Sequence, residues 1–100
     1  MNKTYCTYIL ASKRNGALYI GVTANLANCV YEHKCNLISG ITSQYAIHQL
    51  VYFEYHENAG AATLREISIK EMHRIWKLDL IERHNPEWRD LYSDIAAINC

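Results

Sequence analysis

Two runs of aromatic and β-branched residues, Thr4-Tyr5-Cys6-Thr7-Tyr8-Ile9-Leu10 and Ala17-Leu18-Tyr19-Ile20-Gly21-Val22-Thr23, flank the segment Lys13-Arg14-Asn15-Gly16. Such runs favour strands, and Asn-Gly between them is a strong short-range signal for a hairpin turn. A turn made of Asn15 and Gly16 alone sets Arg14 opposite Ala17 and Tyr19 opposite Ser12. Side chains alternate along a strand, so Tyr8, Arg14, Tyr19 and Gly21 then share one sheet face. A glycine inside a strand often marks close approach of another group to the backbone.

The rest of the chain supplies what a hairpin needs to become stable. Thr23 or Asn25 caps a helix over residues 25–36, because a short polar side chain accepts from an otherwise unpaired backbone N–H. Leu26, Val30, His33 and Leu37 recur at helical spacing and form the stripe that meets the sheet, with Cys29 and Glu32 on its flank. Ser39-Gly40 ends this helix, and residues 41–47 read as a connecting loop. His48 to Tyr55 is a third strand, apolar enough on both faces to be central. After a turn at Glu57-Asn58-Ala59-Gly60, the pattern from 61 to about 83 is helical, with Ile69, Met72, Trp76 and Leu80 in one stripe. Leu64 and Ile67 fall outside that register, which predicts a break near Ser68 to Glu71. Asn85-Pro86 closes the helical region, since a residue before proline is pushed out of the helical conformation. Trp88, Leu91 and Tyr92 then offer apolar surface for a last turn or short helix packing back on the domain. The expected fold class is a small α/β domain, a three-stranded and largely antiparallel sheet flanked by helices. It spans residues 1–92, and 93–100 form a tail with no assigned role.

Bulk properties bound the function. Half of the 100 residues are apolar, which suits one compact domain rather than a disordered chain. No apolar run approaches the roughly 18 residues of a membrane span, and Lys3 is not followed by a signal-peptide core, so a cytoplasmic protein with no membrane partner is expected. Ten basic residues balance ten acidic ones, whereas proteins that grip nucleic acid by its phosphates usually carry a basic excess or stripe. Composition therefore argues against tight nucleic-acid binding. The charges are unevenly spread, however: Lys13 and Arg14 sit at the hairpin tip, and Arg65, Lys70, Arg74 and Lys77 recur along one later segment, so a local patch is compatible with neutrality. The cysteines at 6, 29, 35 and 100 include no Cys-x-x-Cys pair and read as free thiols. Cys29 and His33 stand one helical turn apart, but two further zinc ligands at orthodox spacing are missing.

Tyr8-Ile9-Leu10, followed eleven positions after Tyr8 by Tyr19-Ile20-Gly21 and then by a helix carrying Glu32-His33-Lys34, resembles the GIY-YIG nuclease superfamily. The resemblance continues through Leu50-Val51-Tyr52-Phe53-Glu54, Leu64-Arg65-Glu66, Ile75-Trp76-Lys77 and Asn85-Pro86-Glu87-Trp88-Arg89-Asp90-Leu91-Tyr92. It covers nearly the whole chain and is to the short, single-domain members. It implies hydrolysis of nucleic-acid phosphodiesters with one divalent cation, Mg²⁺ or another. Glu66 matches the metal ligand, Tyr8 and Tyr19 the two motif tyrosines, and His33 a family histidine. Gly21 and Asn85 take supporting places, and Arg14, Lys34, Arg65 and Lys70 are candidates for phosphate contacts. The chemistry is coherent: a carboxylate is a natural hard-oxygen ligand for Mg²⁺, and a phenol can relay a proton to or from an attacking water. The four catalytic candidates are expected to converge on one concave surface with Cys29 at its rim.

Each of these residues also has a plainer reading. Tyr8 and Tyr19 would serve cross-strand packing, His33 the core, Asn85 a turn before Pro86, and Glu66 a surface ion pair with Lys70. Two departures from the family pattern bear on activity. Cys6-Thr7 precede Tyr8 where the namesake motif has glycine and isoleucine, a position that varies among short members. Cys29 stands ten residues after Tyr19, where superfamily nucleases carry an arginine that stabilises charge developing on the phosphate. Asn28 and Ser43-Gln44 likewise replace basic residues. The expectation is a slow metal-dependent endonuclease that binds nucleic acid weakly. The alternative is a catalytically impaired nucleic-acid- or protein-binding module.

Overall fold

The computed structural model describes residues 4–35 and 46–98. Three strands, β1 (Tyr5–Ala11), β2 (Leu18–Thr23) and β3 (Gln49–His56), form one antiparallel sheet in the order β2-β1-β3. Among the described residues four helices accompany it: α1 (Leu26–Lys34), α2 (Ala59–Glu71), α3 (Arg74–His84) and α4 (Tyr92–Ile98). The expected fold class is the one observed. The strand expected at the centre, β3, lies instead at an edge, and β1 is central. The apolar character of both β3 faces has another cause, because helices cover the sheet on both sides.

The hairpin forms with a longer loop than expected. Leu10 pairs with Tyr19 and Tyr8 with Gly21, and Ser12 donates its backbone N–H to the Ala17 carbonyl at 3.0 Å. Four residues, Lys13 to Gly16, therefore make the connection. Tyr19 faces Leu10 and not Ser12, and Arg14 belongs to the loop and not to the sheet face. The slip is by two residues, and side chains alternate with period two, so Tyr8, Tyr19 and Gly21 remain on one face. The backbone explains the loop: the left-handed conformation is taken by Asn15, at φ 58°, a geometry asparagine tolerates.

Strand alternation sorts the core into two clusters. Cys6, Tyr8 and Leu10 of β1 meet Leu26 and Val30 of α1, Ile47, Leu50 and Ile95 on one side. Ile9 and Ala11 of β1 meet Ile20, Val51, Tyr52, Ile69 of α2, Ile81 of α3 and Trp88 on the other. The buried Thr7 hydroxyl donates to the Ala62 carbonyl at 2.8 Å, which ties α2 to β1. An irregularity in the β1–β3 ladder between Ile9 and Leu10 leaves Val51 without an opposite number, as in a β-bulge.

In α1, Leu26, Val30 and His33 are buried, and Cys29 and Glu32 are half-buried. Leu37, the Ser39-Gly40 stop and Ser43-Gln44 lie outside the described residues. The break in the second helical region falls at Met72 and His73, later than expected, where ψ reaches 145° and 151°. The break changes the phase of α3, so Ile81 is its buried residue and Trp76 is 59% exposed, contrary to the single stripe read through Trp76. Leu64 and Ile67 are exposed. Residues 92–98 are helical and Ile95 is buried in the first cluster, which places part of the segment read as a tail within the domain. Among the described residues no helix is long and apolar enough to cross a membrane.

Candidate active site

Tyr8, Tyr19 and His33 meet on the sheet face covered by α1. Strand pairing sets Tyr8 opposite Gly21, and a Cβ at position 21 would stand 2.6 Å from the Tyr8 hydroxyl and 3.2 Å from the Tyr19 ring. The glycine of the second motif is thus required by contact: it lets one phenol lie against the strand that carries the other. The Tyr8 and Tyr19 ring centroids are 6.3 Å apart. His33, two turns into α1, brings its ring within 5.5 Å of Tyr19 and 6.5 Å of Tyr8. Cys29 sits one turn earlier on the same helix and donates its Sγ–H to the Tyr8 hydroxyl at 3.2 Å.

Burial dominates the electrostatics. It pushes the Tyr8 phenol well above the ordinary tyrosine range, helped by the Cys29 hydrogen bond and by the charges of Cys29, Tyr19 and Glu66. Tyr8 is 3% exposed, so the phenol stays neutral at any physiological pH. Burial also lowers His33 below its usual value; Glu32 opposes the shift and His48 adds to it. Glu66 lies on α2, half-buried, close enough for its charge to be felt at Tyr8. Its carboxylate is 3.0 Å from the Lys70 ammonium one turn on.

The basic candidates are mostly engaged. Lys34 is paired with Asp90, Arg65 with Glu54 at 2.9 Å, and Lys70 with Glu66. Arg14 is exposed at the hairpin tip. Asn85 is the C-cap of α3 and an internal tie: its Nδ2 donates to the Val51 and Arg89 carbonyls at 3.1 and 2.7 Å, and its Oδ1 accepts from the Arg89 N–H at 3.0 Å.

Glu54 was not singled out in the sequence. On the opposite sheet face it accepts from the Tyr52 hydroxyl, from Arg65 Nε and from the His56 ring. Burial would raise its pKa, but these bonds from Tyr52, Arg65 and His56 outweigh it and hold the carboxyl below the usual range. Burial first, and then the Glu54 carboxylate, push Tyr52 up to about 12, against the opposing pull of Arg65. The signal was present as polar-capable residues at period two, Tyr52, Glu54 and His56, which alternation places on one face.

Among the described residues no group of three or more His, Cys, Asp and Glu side chains converges as a metal cage. The one carboxylate expected to hold a metal is that of Glu66, whose ion-pair partner Lys70 is itself 53% exposed. That suits Mg²⁺, which is typically held by one or two carboxylates and keeps several waters, and it does not suit zinc with Cys29 and His33.

A three-stranded antiparallel sheet with helices on both faces, and a tyrosine from each strand of one hairpin meeting over a glycine, define a small α/β domain. The chain belongs to the GIY-YIG family, for a family model of the GIY-YIG catalytic domain matches residues 4–79. It is 39% identical over 74 residues to the UPF0213 protein CPE1444 of Clostridium perfringens (strain 13 / Type A), covering 74% of this chain and 78% of that one. The solution NMR structure of the UPF0213 protein BH0048 from Bacillus halodurans shares the fold, with a TM-score of 0.55 at 20% identity over 87% of this chain and 92% of that one.

Proposed function

We propose that this protein hydrolyses nucleic-acid phosphodiesters with a divalent cation held by Glu66, and does so slowly because Cys29 occupies the place of the family's arginine. The observation that carries the reading is the meeting of Tyr8, Tyr19 and His33 over Gly21, with the charge of Glu66 felt at Tyr8. When bound, Mg²⁺ supplies polarisation of the phosphoryl oxygen and a more acidic water. Glu66 would hold the cation, in exchange for its ion pair with Lys70. Tyr8, neutral and accepting from Cys29, keeps its own O–H proton to donate to a phosphate oxygen. His33 is unprotonated near neutrality because burial lowers its pKa, which leaves its imidazole, beside the Tyr19 ring, able to take up a proton. The Cys29 thiol cannot supply the planar, multi-donor cation that the arginine would, and loss of one such donor costs roughly 10² to 10³ in rate.

The second reading, a binding module without catalysis, is favoured by a specific observation: the Tyr8 hydroxyl is buried and already engaged by Cys29. One titration separates the two. Branched and single-stranded nucleic acids are offered with and without Mg²⁺, scoring binding and cleavage together, and Glu66→Ala is run alongside. Slow Mg²⁺-dependent cleavage that vanishes in Glu66→Ala supports the nuclease. Binding without cleavage at any Mg²⁺ concentration favours the module.

A further inference from the structure

The chain is neutral, with ten basic and ten acidic residues, but its cations are unequally compensated. Lys34, Arg65, Lys70, Arg83 and Arg89 each face a carboxylate. Among the described residues the remaining Lys and Arg side chains are Lys13, Arg14, Arg74 and Lys77, and none forms an ion pair. Three of these come together. Lys13 and Arg14 are exposed in the hairpin loop, and Arg74 reaches across from α3 to donate through Nη2 to the Asn15 and Gly16 carbonyls, each at 2.7 Å. Lys77 follows one turn along α3. Of the nearby acids, Asp79 is committed to Arg83 at 2.8 Å, and the exposed Glu71 pairs with none of the four.

The loop that presents these charges is held from several sides. Besides Arg74, the Ala17 N–H donates to Ser12 Oγ at 3.0 Å, and the Gly16 N–H to the Lys13 carbonyl at 2.9 Å. A Cβ at Gly16 would stand 2.4 Å from Ser12 Oγ, so the turn closes tightly. Cations on a fixed base lose less freedom on meeting a ligand than cations on a mobile loop. The tip also continues directly into the strands that carry Tyr8 and Tyr19. Gly16 and Tyr19 are three residues apart, about 10 Å along a strand, which matches about three phosphate steps of one duplex strand.

We infer that the β1–β2 hairpin tip and the first turn of α3 form a phosphate-binding surface, built from Lys13, Arg14, Arg74 and Lys77, which holds the nucleic-acid backbone beside the tyrosine site. The inference rests on the nuclease-like reading above and adds to it where the backbone lies. It also reconciles neutral composition with a polyanionic partner: internal carboxylates neutralise the other described Lys and Arg side chains and leave this one patch open.

The test measures binding of fluorescently labelled duplex and single-stranded oligonucleotides by anisotropy, in EDTA so that no cutting intervenes, from 50 to 200 mM salt, about the range over which phosphate contacts are read. Lys13→Ala with Arg14→Ala alters only exposed loop side chains. It is expected to weaken binding of either oligonucleotide and to lower the slope of log K against log salt by about two for duplex, near 0.9 for each phosphate contact. Arg83→Gln with Arg89→Gln removes the same amount of charge from paired positions and is expected to leave the slope unchanged. The inference is overturned if the tip variant keeps the wild-type slope, if both double variants weaken binding alike, or if the wild-type chain binds neither oligonucleotide. Retention on phosphatidylserine vesicles that is lost in the tip variant, with oligonucleotide binding intact, overturns it too. Failure of the hydrolytic reading looks different: bound oligonucleotide stays uncut when Mg²⁺ is restored, while the salt slopes still separate the two variants.

Discussion

At position 29 a thiol stands within hydrogen-bonding reach of the Tyr8 hydroxyl, where the family sets a guanidinium. Cys29 is half-buried on the flank of α1, one turn before His33, so a longer side chain can extend along the helix surface. Cys29→Arg is expected to raise Mg²⁺-dependent cleavage by roughly 10² to 10³, the worth of one transition-state donor. Glu66→Ala in the same background should abolish the gain, because a cation cannot take over a carboxylate's metal-binding role. A folded Cys29→Arg variant that neither cuts nor binds better would show that more than one residue of the ancestral chemistry is gone. The site tyrosines, His33 and the departure at 29 were all legible as motif positions. The engagement of Lys34, Arg65 and Lys70 with Asp90, Glu54 and Glu66 was mostly not. Lys34 and Asp90 are 56 residues apart, and pairing at that separation depends on tertiary structure.

Elements were legible where local signals agreed and shifted where distant contacts decided. The hairpin was plain from its two strands, yet its loop has four residues because Asn15 takes the left-handed turn and Arg74 fastens the result from another helix. The end of α2 at Met72 carries no glycine or proline to announce it, and the amphipathic stripe read across it mixed two helices of different phase. The connection after α3 is different, since Asn85-Pro86 marked its place and Asn85 organises it. Asn85→Ala would leave the Val51 and Arg89 backbone groups short of partners. An unpaired buried group costs about 1–3 kcal/mol; the bond to Val51 is buried and the two to Arg89 only partly so, so the Arg89 groups count for less and the substitution should destabilise the chain by about 2–4 kcal/mol in all. In urea the midpoint falls and the slope is retained if the change is purely one of stability.

For the molecule as a whole, acid should act in two stages. Burial holds the native pKa of His33 below its ordinary 6.5, so the unfolded chain takes up that proton first. Stability is complete above about 6.5 and declines as pH falls through the lowered native value. Glu54 is held below its ordinary 4.5, and its contribution is lost only as pH drops beneath that. Urea midpoints measured from pH 8 to 3, a span of about five decades in proton activity around these two groups, are expected to show both stages, and His33→Gln to remove the upper one.

Asp90 gives the fold a further property. Its Oδ1 accepts from the Leu50 and Tyr92 N–H groups, its Oδ2 meets Lys34, and the Leu91 N–H donates to the Leu50 carbonyl. The outer edge of β3 is therefore closed at Leu50 by a segment 40 residues downstream. On the ribosome, at roughly 5–20 residues per second, that edge waits about two to eight seconds for its cover. An uncovered strand edge is a template for pairing with another chain. The window in which this protein is open to aggregation is thus set by translation speed between residues 50 and 90, and slow codons there lengthen it.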